Sequence, residues 1–198
     1  MCSTVEKRIY QNKSAKPRAS RIYQKKPNEY CICMEKTKKI PNMSVAVIID
    51  PKEGLMLLKE AARGINKGYV AGPGGKQEKG ESLAHSAERE VLEETGISVK
   101  LKPAGYKVCY ENGQEYTVSY FMGVASSSED KIISTPEGKV GWVKISEIPY
   151  NRLRPEEEEI LPKILEAMQN NESMSIRAEV HYQPDFSVTV SVINNASS

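Results

Sequence analysis

The sequence predicts an α/β domain in which a mixed sheet packs against helices. Two apolar runs, at residues 45–49 and 55–58, have the length of buried strands. Between residues 83 and 95 the apolar side chains recur with the period of a helix. Because hairpin-like pairs of strands and single helices alternate along the chain, the sheet is expected to contain both parallel and antiparallel neighbours.

The first helix has a start signal and a stop signal. Ser82 is a suitable N-cap, and Gly96 can adopt the left-handed conformation that ends a helix. Residues 97–101 then alternate apolar and polar side chains, which predicts a strand. The remaining elements are expected as strands at 106–110, 116–124 and 140–145, a helix at 156–169, and a hairpin formed by 175–182 and 187–192.

Composition limits the class of protein. The chain has 198 residues, 39% of them hydrophobic, and its longest apolar run is too short to cross a bilayer, so no membrane partner is expected. The start of the chain lacks the apolar segment of a secretory signal. The four cysteines do not form paired zinc-type spacings and are expected as reduced thiols. These features predict a cytoplasmic protein.

The charge is distributed unevenly. Residues 1–40 contain eleven Lys or Arg and three Glu, whereas the rest of the chain is acidic. We therefore expect a basic, flexible N-terminal extension at 1–40, followed by one domain at 41–198. The extension repeats the tetrapeptide Arg-Ile-Tyr-Gln at 8–11 and 21–24, so a contact with nucleic acid or an acidic partner is an alternative to plain disorder, and a mitochondrial presequence is a third.

Three glutamates of the first helix form the candidate chemical site. Glu90, Glu93 and Glu94 are spaced to share one arc of the helix, where their charges repel each other. Glu93 and Glu94 also lie at the negative end of the helix dipole. A divalent cation such as Mg²⁺ or Mn²⁺ would relieve both conflicts, because these ions prefer carboxylate oxygens and bridge to phosphates. The alternative is a solvated acidic face.

A glycine-rich loop precedes this helix. Residues 72–76 read Gly-Pro-Gly-Gly-Lys, which lets the backbone approach a ligand and offers Lys76 as a cation for a phosphate. Together, the loop and the glutamates predict metal-assisted attack on a polyphosphate.

The same residues resemble a known family. Gly75, Glu81, Arg89, Glu90, Val91, Glu93, Glu94, Gly96 and Ile97 have the identity and spacing of a complete Nudix box. The resemblance implies a Nudix α/β/α sandwich that hydrolyses a nucleoside diphosphate linked to another group. Glu90, Glu93 and Glu94 would hold the metal with the Gly74 carbonyl, Arg89 would orient the glutamates, and Glu81 would assist at the edge of the site.

The resemblance leaves the general base and the substrate open. Glu90 is one candidate base, and Glu137, in the loop before a predicted strand, is another unless it is simply an exposed turn residue. Residues 154–157 read Arg-Pro-Glu-Glu and align with the Trp-Pro-Asp-Asp by which similar MutT-type members contact the base. Glu156 and Glu157 are therefore candidate substrate-binding residues, the alternative being an acidic first helical turn.

The expected activity is hydrolysis of nucleoside triphosphates to monophosphate and pyrophosphate, with oxidised purine nucleotides such as 8-oxo-dGTP as favoured substrates. The first alternative is a pyrophosphohydrolase of RNA 5′ ends or caps, to which the basic extension would contribute. The second alternative is a non-catalytic nucleotide-binding module. The complete set of glutamates argues against that module, because it would be expected to lose them.

Overall fold

In a computed structural model, the structure describes most of the chain from residue 41 onward and one short segment before it. The described residues are 6–11, 41–64, 66–111, 113–127, 131–170, 176–182 and 187–194. Over these residues, neither helix combines the length and apolar character needed to cross a membrane.

The described residues form strands and two α-helices in an interleaved order. The first half comprises β1 (Glu6–Gln11), β2 (Met43–Asp50), β3 (Leu55–Ala61), β4 (Val70–Ala71), β5 (Gly74–Lys76) and α1 (Leu83–Thr95). The second half comprises β6 (Lys102–Glu111), β7 (Gln114–Val124), β8 (Gly138–Lys144), α2 (Glu157–Asn170), β9 (Ile176–Tyr182) and β10 (Ser187–Asn194). Two short 3-10 helices, Ile145–Glu147 and Tyr150–Arg152, connect β8 to α2.

The strands join in one mixed sheet. Its order is β1-β10-β9-β6-β7-β2-β3-β4, with β5 added to β2 and β8 to β3. The pairs β2–β7 and β6–β9 are parallel, whereas the other neighbours are antiparallel. Parallel pairing of β2 with β7 brings the start of β2 next to the middle of β7, so residues far apart in sequence meet at the centre of the sheet.

The two helices cover opposite faces of the sheet. Along β2, Val47 and Ile49 belong to the core beneath α2, and Ala46 and Ile48 belong to the core beneath α1. This alternation follows from the two-residue period of a strand, and it explains why β2 reads as a continuous apolar run. The prediction of an α/β/α sandwich around a mixed sheet is confirmed.

Both predicted capping residues of α1 cap the helix. The Ser82 hydroxyl accepts a hydrogen bond from the His85 backbone N–H at 3.2 Å. Gly96 has φ 79°, and its N–H donates to the Leu92 carbonyl at 2.9 Å. Val91 is fully buried against the sheet, which contributes about 1.5–3 kcal/mol to folding. The helix is therefore set by local capping and by one buried face.

The strand expected at 97–101 is wrong. Among the described residues this segment belongs to no strand, and β6 begins at Lys102. Its alternating pattern arises because Ile97, Val99 and Leu101 pack into the core beneath α1. An alternating pattern therefore indicates which side chains are buried, but it does not by itself predict that the segment pairs with another strand.

One short part of the basic extension forms a strand. Within 1–40, residues 6–11 form the edge strand β1, antiparallel to β10, and the flexibility expected for the extension stays a prediction. The segment contains Ile9 and Tyr10, residue types that favour strands, and it pairs with the edge of β10 that lies opposite β9. The expectations for residues 1–5 and 12–40, including the second Arg-Ile-Tyr-Gln, fall outside the described residues.

We predict that a glycine in β6 is needed for the pairing of β6 with β9. Gly105 has φ 131°, and a Cβ there would lie 2.2 Å from the Ile176 carbonyl oxygen. Gly105→Ala should lower the free energy of unfolding by about 1–3 kcal/mol, measured by urea denaturation. Gly141→Ala is the control, because no atom lies within 4 Å of its added Cβ and its φ is ordinary. Equal stability of the two variants would contradict this account.

Acid should weaken the turn after β2. Ser127 donates to the Asp50 carboxylate through its hydroxyl and backbone N–H, at 2.7 and 2.8 Å, and these bonds lower the Asp50 pKa to about 2. A lowered pKa stabilises the fold above the unfolded value of 3.8, and the stabilisation disappears as pH falls towards 2. The stability difference between the wild type and Asp50→Asn should therefore shrink below about pH 4 in denaturation series. A constant difference would refute this assignment.

Candidate active site

The glycine-rich loop lies directly against β2. The Ala46 N–H donates to the Pro73 carbonyl at 2.8 Å, and Gly74 pairs with Val45 in the β5–β2 ladder. A Cβ on Gly74 would lie 2.1 Å from the Ser44 carbonyl oxygen, so a larger residue does not fit there. The backbone of the loop is thereby held next to the glutamates of α1.

Arg89 binds the carboxylates of Glu81, Glu90 and Glu93. Its Nη1 donates to Glu90 Oε1 at 3.1 Å and to Glu93 Oε2 at 2.9 Å. Its Nε and Nη2 bind both oxygens of Glu81, at 3.2 and 2.9 Å, and Nη2 also donates to the Lys76 carbonyl at 3.2 Å. The bidentate bond from Arg89 lowers the pKa of Glu81 to about 2. Arg89 thus joins the loop to the helix and orients three carboxylates.

Glu94 is the most buried of the three glutamates, with 4% of its surface exposed. Its Oε2 accepts a hydrogen bond from the Gly74 N–H at 3.0 Å, and its Oε1 forms an ion pair with Lys59 at the end of β3. A buried carboxylate requires this compensation, because an unpaired charge in a core is costly. The sequence did not single out Lys59.

Glu90 packs against the loop. A Cβ added to Gly75 would lie 2.4 Å from the Glu90 carboxyl carbon, so the carboxylate occupies the space that only glycine leaves. Burial raises the pKa of Glu90, and the neighbouring Glu94 and Glu93 raise it further, whereas Arg89 opposes the shift. Glu90 therefore gains protons more readily than an ordinary glutamate.

A cavity of about 210 Å³ opens beside the loop. Its lining includes Lys59, Gly74 and Gly75, which contact the carboxylates of α1, as well as Glu156 and Glu157 at the start of α2. The β-strand side chains between them are mostly apolar. An apolar pocket with a few converging polar groups is typical of a small-molecule site.

The acidic pair in this cavity is bound to a buried lysine. Lys107 Nζ lies 2.9 Å from Glu156 Oε1 and 2.7 Å from Glu157 Oε1. The Tyr120 hydroxyl donates to Glu157 at 2.6 Å, and the Tyr182 hydroxyl donates to Glu156. Glu156 is completely buried, whereas Glu157 lies in the acidic first turn of α2, as the alternative interpretation expects.

Comparisons with known proteins agree with this geometry. The NUDIX domain model matches residues 39–164. The chain belongs to the NUDIX family. It is 29% identical to the oxidized purine nucleoside triphosphate hydrolase of Mus musculus over 62% of this chain and 78% of that protein. The protein of the same name from Danio rerio is 27% identical over 56% and 70%. The crystal structure of the MutT protein of Bacillus halodurans superimposes with a TM-score of 0.61, at 27% identity, covering 75% of this chain and 94% of that chain.

The match establishes the NUDIX chain as a hydrolase of this family, as predicted, and members of the family bind nucleotide substrates. NUDIX hydrolases generally use divalent metal ions. The matched region ends within α2, so β9 and β10 extend the sheet beyond it.

Three of the predicted site residues of the NUDIX domain lie at exposed positions. The Glu93 side chain is 59% exposed and reaches Arg89. Glu137 lies in the turn before β8, where it pairs with Arg63, and it does not line the cavity. The Lys76 side chain is exposed, and its backbone carbonyl is the group that contacts Arg89 and Ser86. The roles proposed for these three residues stay predictions.

The donor set of the NUDIX helix suits a hard cation, because it consists of carboxylate oxygens beside the backbone of Gly74 and Gly75. Within the described ranges, no three Asp, Glu, His or Cys side chains converge as a preformed metal site. Arg89 binds Oε1 of Glu90 and Oε2 of Glu93, whereas Lys59 binds Oε1 of Glu94, so a cation at this oxygen of Glu94 would compete with Lys59.

The sequence analysis did not identify Lys59 and Lys107 as site residues, although the position of each in its strand indicates that it faces the core. Lys107 lies two residues before Cys109 and therefore on the buried face of β6, where a charge demands a partner. Lys59 follows the apolar run of β3, two residues after the buried Leu57. The carboxylate partner of each lysine could not be predicted in this way, because it depends on which strands become neighbours in the sheet.

We predict that Gly75→Ala displaces the Glu90 carboxylate without unfolding the NUDIX domain. The added Cβ would overlap the carboxyl group at 2.4 Å, and a side chain can move more cheaply than backbone. Hydrolase activity should fall by about a hundredfold, because misplacing a catalytic group by 1 Å has this effect. Steady-state pyrophosphate release and thermal melting are measured together, with Gly141→Ala as the control. Full activity in Gly75→Ala would refute the assigned role of this contact.

Proposed function

We propose that the protein hydrolyses nucleoside triphosphates to monophosphate and pyrophosphate, and that its favoured substrates are oxidised purine nucleotides. One observation carries the proposal: Gly74 and Gly75 contact Glu94 and Glu90 and also line the cavity that contains the acidic pair of α2. A nucleotide could therefore place its phosphates at the glutamates of α1 and its base near Glu156 and Glu157. The names of the mouse and zebrafish relatives support this substrate class.

The proposal assigns the metal to the glutamates. Glu90, Glu93 and Glu94, with the Gly74 carbonyl, would hold Mg²⁺ or Mn²⁺. Such an ion, when bound, neutralises phosphate charge and lowers the pKa of water. Arg89 keeps Glu90 and Glu93 in place and ties them to Glu81. The Gly74 N–H orients Glu94 from the opposite side.

Glu90 is a better candidate than Glu137 for accepting a proton from the attacking water. It packs against Gly75, which lines the cavity, whereas Glu137 pairs with Arg63 in an exposed turn. We therefore place proton transfer at Glu90.

In this proposal Lys59 attracts the phosphates of the substrate. It lies on the cavity lining and neutralises Glu94 in the structure. When Glu94 binds a cation instead, the Lys59 ammonium is freed within the same cavity as the phosphates. A lysine there can attract the triphosphate as a point charge.

We predict that Glu94→Gln lowers kcat for pyrophosphate release by about a hundredfold or more, because the variant loses a negatively charged ligand of the proposed metal ion, and with it the stabilisation that the ion would give to the reacting phosphates. The matched control is Glu88→Gln on the same helix. Glu88 accepts a long hydrogen bond from the Leu101 N–H at 3.4 Å and does not line the cavity. The assay compares canonical triphosphates, 8-oxo-dGTP, 2-hydroxy-dATP and capped RNA, each with Mg²⁺ and with Mn²⁺.

Preference for an oxidised purine triphosphate, lost in Glu94→Gln and retained in Glu88→Gln, is the expected result. Preference for RNA ends would overturn the substrate class while retaining the chemistry. Absence of turnover on the whole panel would overturn the enzymatic proposal itself.

A further inference from the structure

Two segments that lie outside the strands contribute to the lining of the cavity. The β3–β4 loop (residues 62–64 and 66–69) contributes Asn66 and Tyr69. The connector between β8 and α2 (residues 145–156) contributes Leu153 and Arg154. Because neither segment pairs in a strand ladder, the sheet does not by itself fix the position of the loop relative to the connector.

Arg152 joins these two segments. It lies in the second 3-10 helix of the connector, and its Nε and Nη2 donate to the Gly68 carbonyl of the loop at 3.3 and 3.1 Å. Its Nη2 also lies 2.8 Å from Glu60 Oε1, near the end of β3. The planar guanidinium presents its donors in a fixed geometry, and a bond between two charged groups is stronger than one between neutral groups. Arg152 therefore holds the connector to the loop and to the strand before it.

The residues that Arg152 joins are direct neighbours of residues that line the cavity. In the loop, Tyr69 follows Gly68, and the Tyr69 N–H donates to the Asn66 carbonyl at 2.9 Å. In the connector, Leu153 follows Arg152 and is 4% exposed. Arg152 itself does not line the cavity. A shift of Arg152 would therefore move lining residues of both segments without removing any atom from the lining.

Other hydrogen bonds hold the loop to the sheet. The Gly68 N–H donates to the Ala61 carbonyl at 2.9 Å, and the Ala62 N–H donates to the Glu137 carbonyl at 2.9 Å. These bonds tie the loop to β3 and to the turn before β8. They do not include the connector, so the contribution of Arg152 differs from theirs.

Arg152 and Glu60 are both partly exposed, with 42% and 44% of their side chains accessible. Ion pairs at such positions add little to the stability of a fold. Replacement of either residue is therefore expected to leave the domain folded. The position of the pair, between two segments that line one cavity, points to an effect on the ligand instead.

We propose that Arg152 is a positioning residue that holds the β3–β4 loop and the connector at the separation that a nucleotide requires, so that it sets the affinity of the cavity for the nucleotide and not the rate of the chemical step. The inference rests on the proposed function, because it assumes that a nucleotide enters this cavity.

The expected effect is on binding, for a physical reason. A protein that is competent to bind in only a fraction of its molecules has an affinity lowered by that fraction. Loss of the bonds from Arg152 lets the loop and the connector separate, which reduces the competent fraction. The carboxylates of α1 are held by Arg89, Lys59 and the Gly74 N–H, and Arg152 contacts none of these groups. The chemical step should therefore be unchanged once the substrate is bound.

The test compares the wild type with Arg152→Met, which keeps most of the side-chain length and removes the donors. Equilibrium binding of dGMP is measured by titration calorimetry, which requires no turnover. The dissociation constant should rise by about tenfold in Arg152→Met. In steady-state pyrophosphate release from 8-oxo-dGTP, KM should rise by about the same factor while kcat stays within about twofold of the wild type.

Lys144→Met is the matched control. Lys144 directly precedes the connector and forms an exposed ion pair with Glu147 at 3.1 Å, but this pair lies within one segment and does not reach the loop. Neither residue lines the cavity. The variant therefore loses a similar exposed ion pair and should bind dGMP as the wild type does.

A second variant tests the same contact from the other partner. Glu60→Gln removes the charge that Arg152 binds but leaves both bonds to the Gly68 carbonyl, so the dissociation constant for dGMP should rise by only about threefold. In the double variant the two losses should not add, because both act through Arg152. Glu60→Gln alone decides the matter if Arg152→Met does not fold.

The inference is overturned if the wild type does not bind dGMP, if folded Arg152→Met binds it as tightly as the wild type, or if Lys144→Met weakens binding equally. A fall in kcat without a change in binding would also overturn it. Pyrophosphate release by an Arg152→Met protein with unchanged affinity would leave the proposed function standing. The expected binding pattern in a protein that releases no pyrophosphate would support the inference about Arg152 and overturn the hydrolase proposal.

Discussion

The buried ion pair between Lys107 and Glu156 is the interaction on which the arrangement of the domain depends. It connects the central strand β6 to the residue that begins the turn into α2. A buried pair contributes little net stability relative to apolar residues, but loss of one partner costs about 3–5 kcal/mol, because the other charge remains in the core. The pair therefore restricts where the start of α2 can lie on the sheet more than it strengthens the fold.

The glycine-rich loop fixes the positions of Glu90 and Glu94 on α1. Its backbone pairs with β2, its Gly74 N–H reaches Glu94, and its Gly75 leaves space for Glu90. Because the same residues line the cavity, a shift of the loop would alter the carboxylates and the ligand space together. The same close contacts leave no room for a side chain at Gly74 or Gly75.

The parts of the fold that could be predicted from sequence have local causes. The ends of α1 follow from Ser82 and Gly96, and the spacing of Glu90 and Glu93 places both beside Arg89. The partners of Lys59 and Lys107 could not be predicted in the same way. They depend on which strands become neighbours, and parallel pairing such as β2–β7 is not encoded by any short pattern. The prediction for residues 97–101 failed for a related reason. Their alternate side chains are buried in the core beneath α1, which produces the same pattern as a strand.

The pairing of β1 with β10 has a consequence for the order of folding. Glu6 lies opposite Val192, so this pair joins two segments that are far apart in the sequence. Contacts between distant parts of a chain form slowly, since a long loop must close first. We therefore expect this edge of the sheet to form late. The glycine-rich loop and α1 can come together earlier, because β2, β5 and α1 lie close together in the sequence.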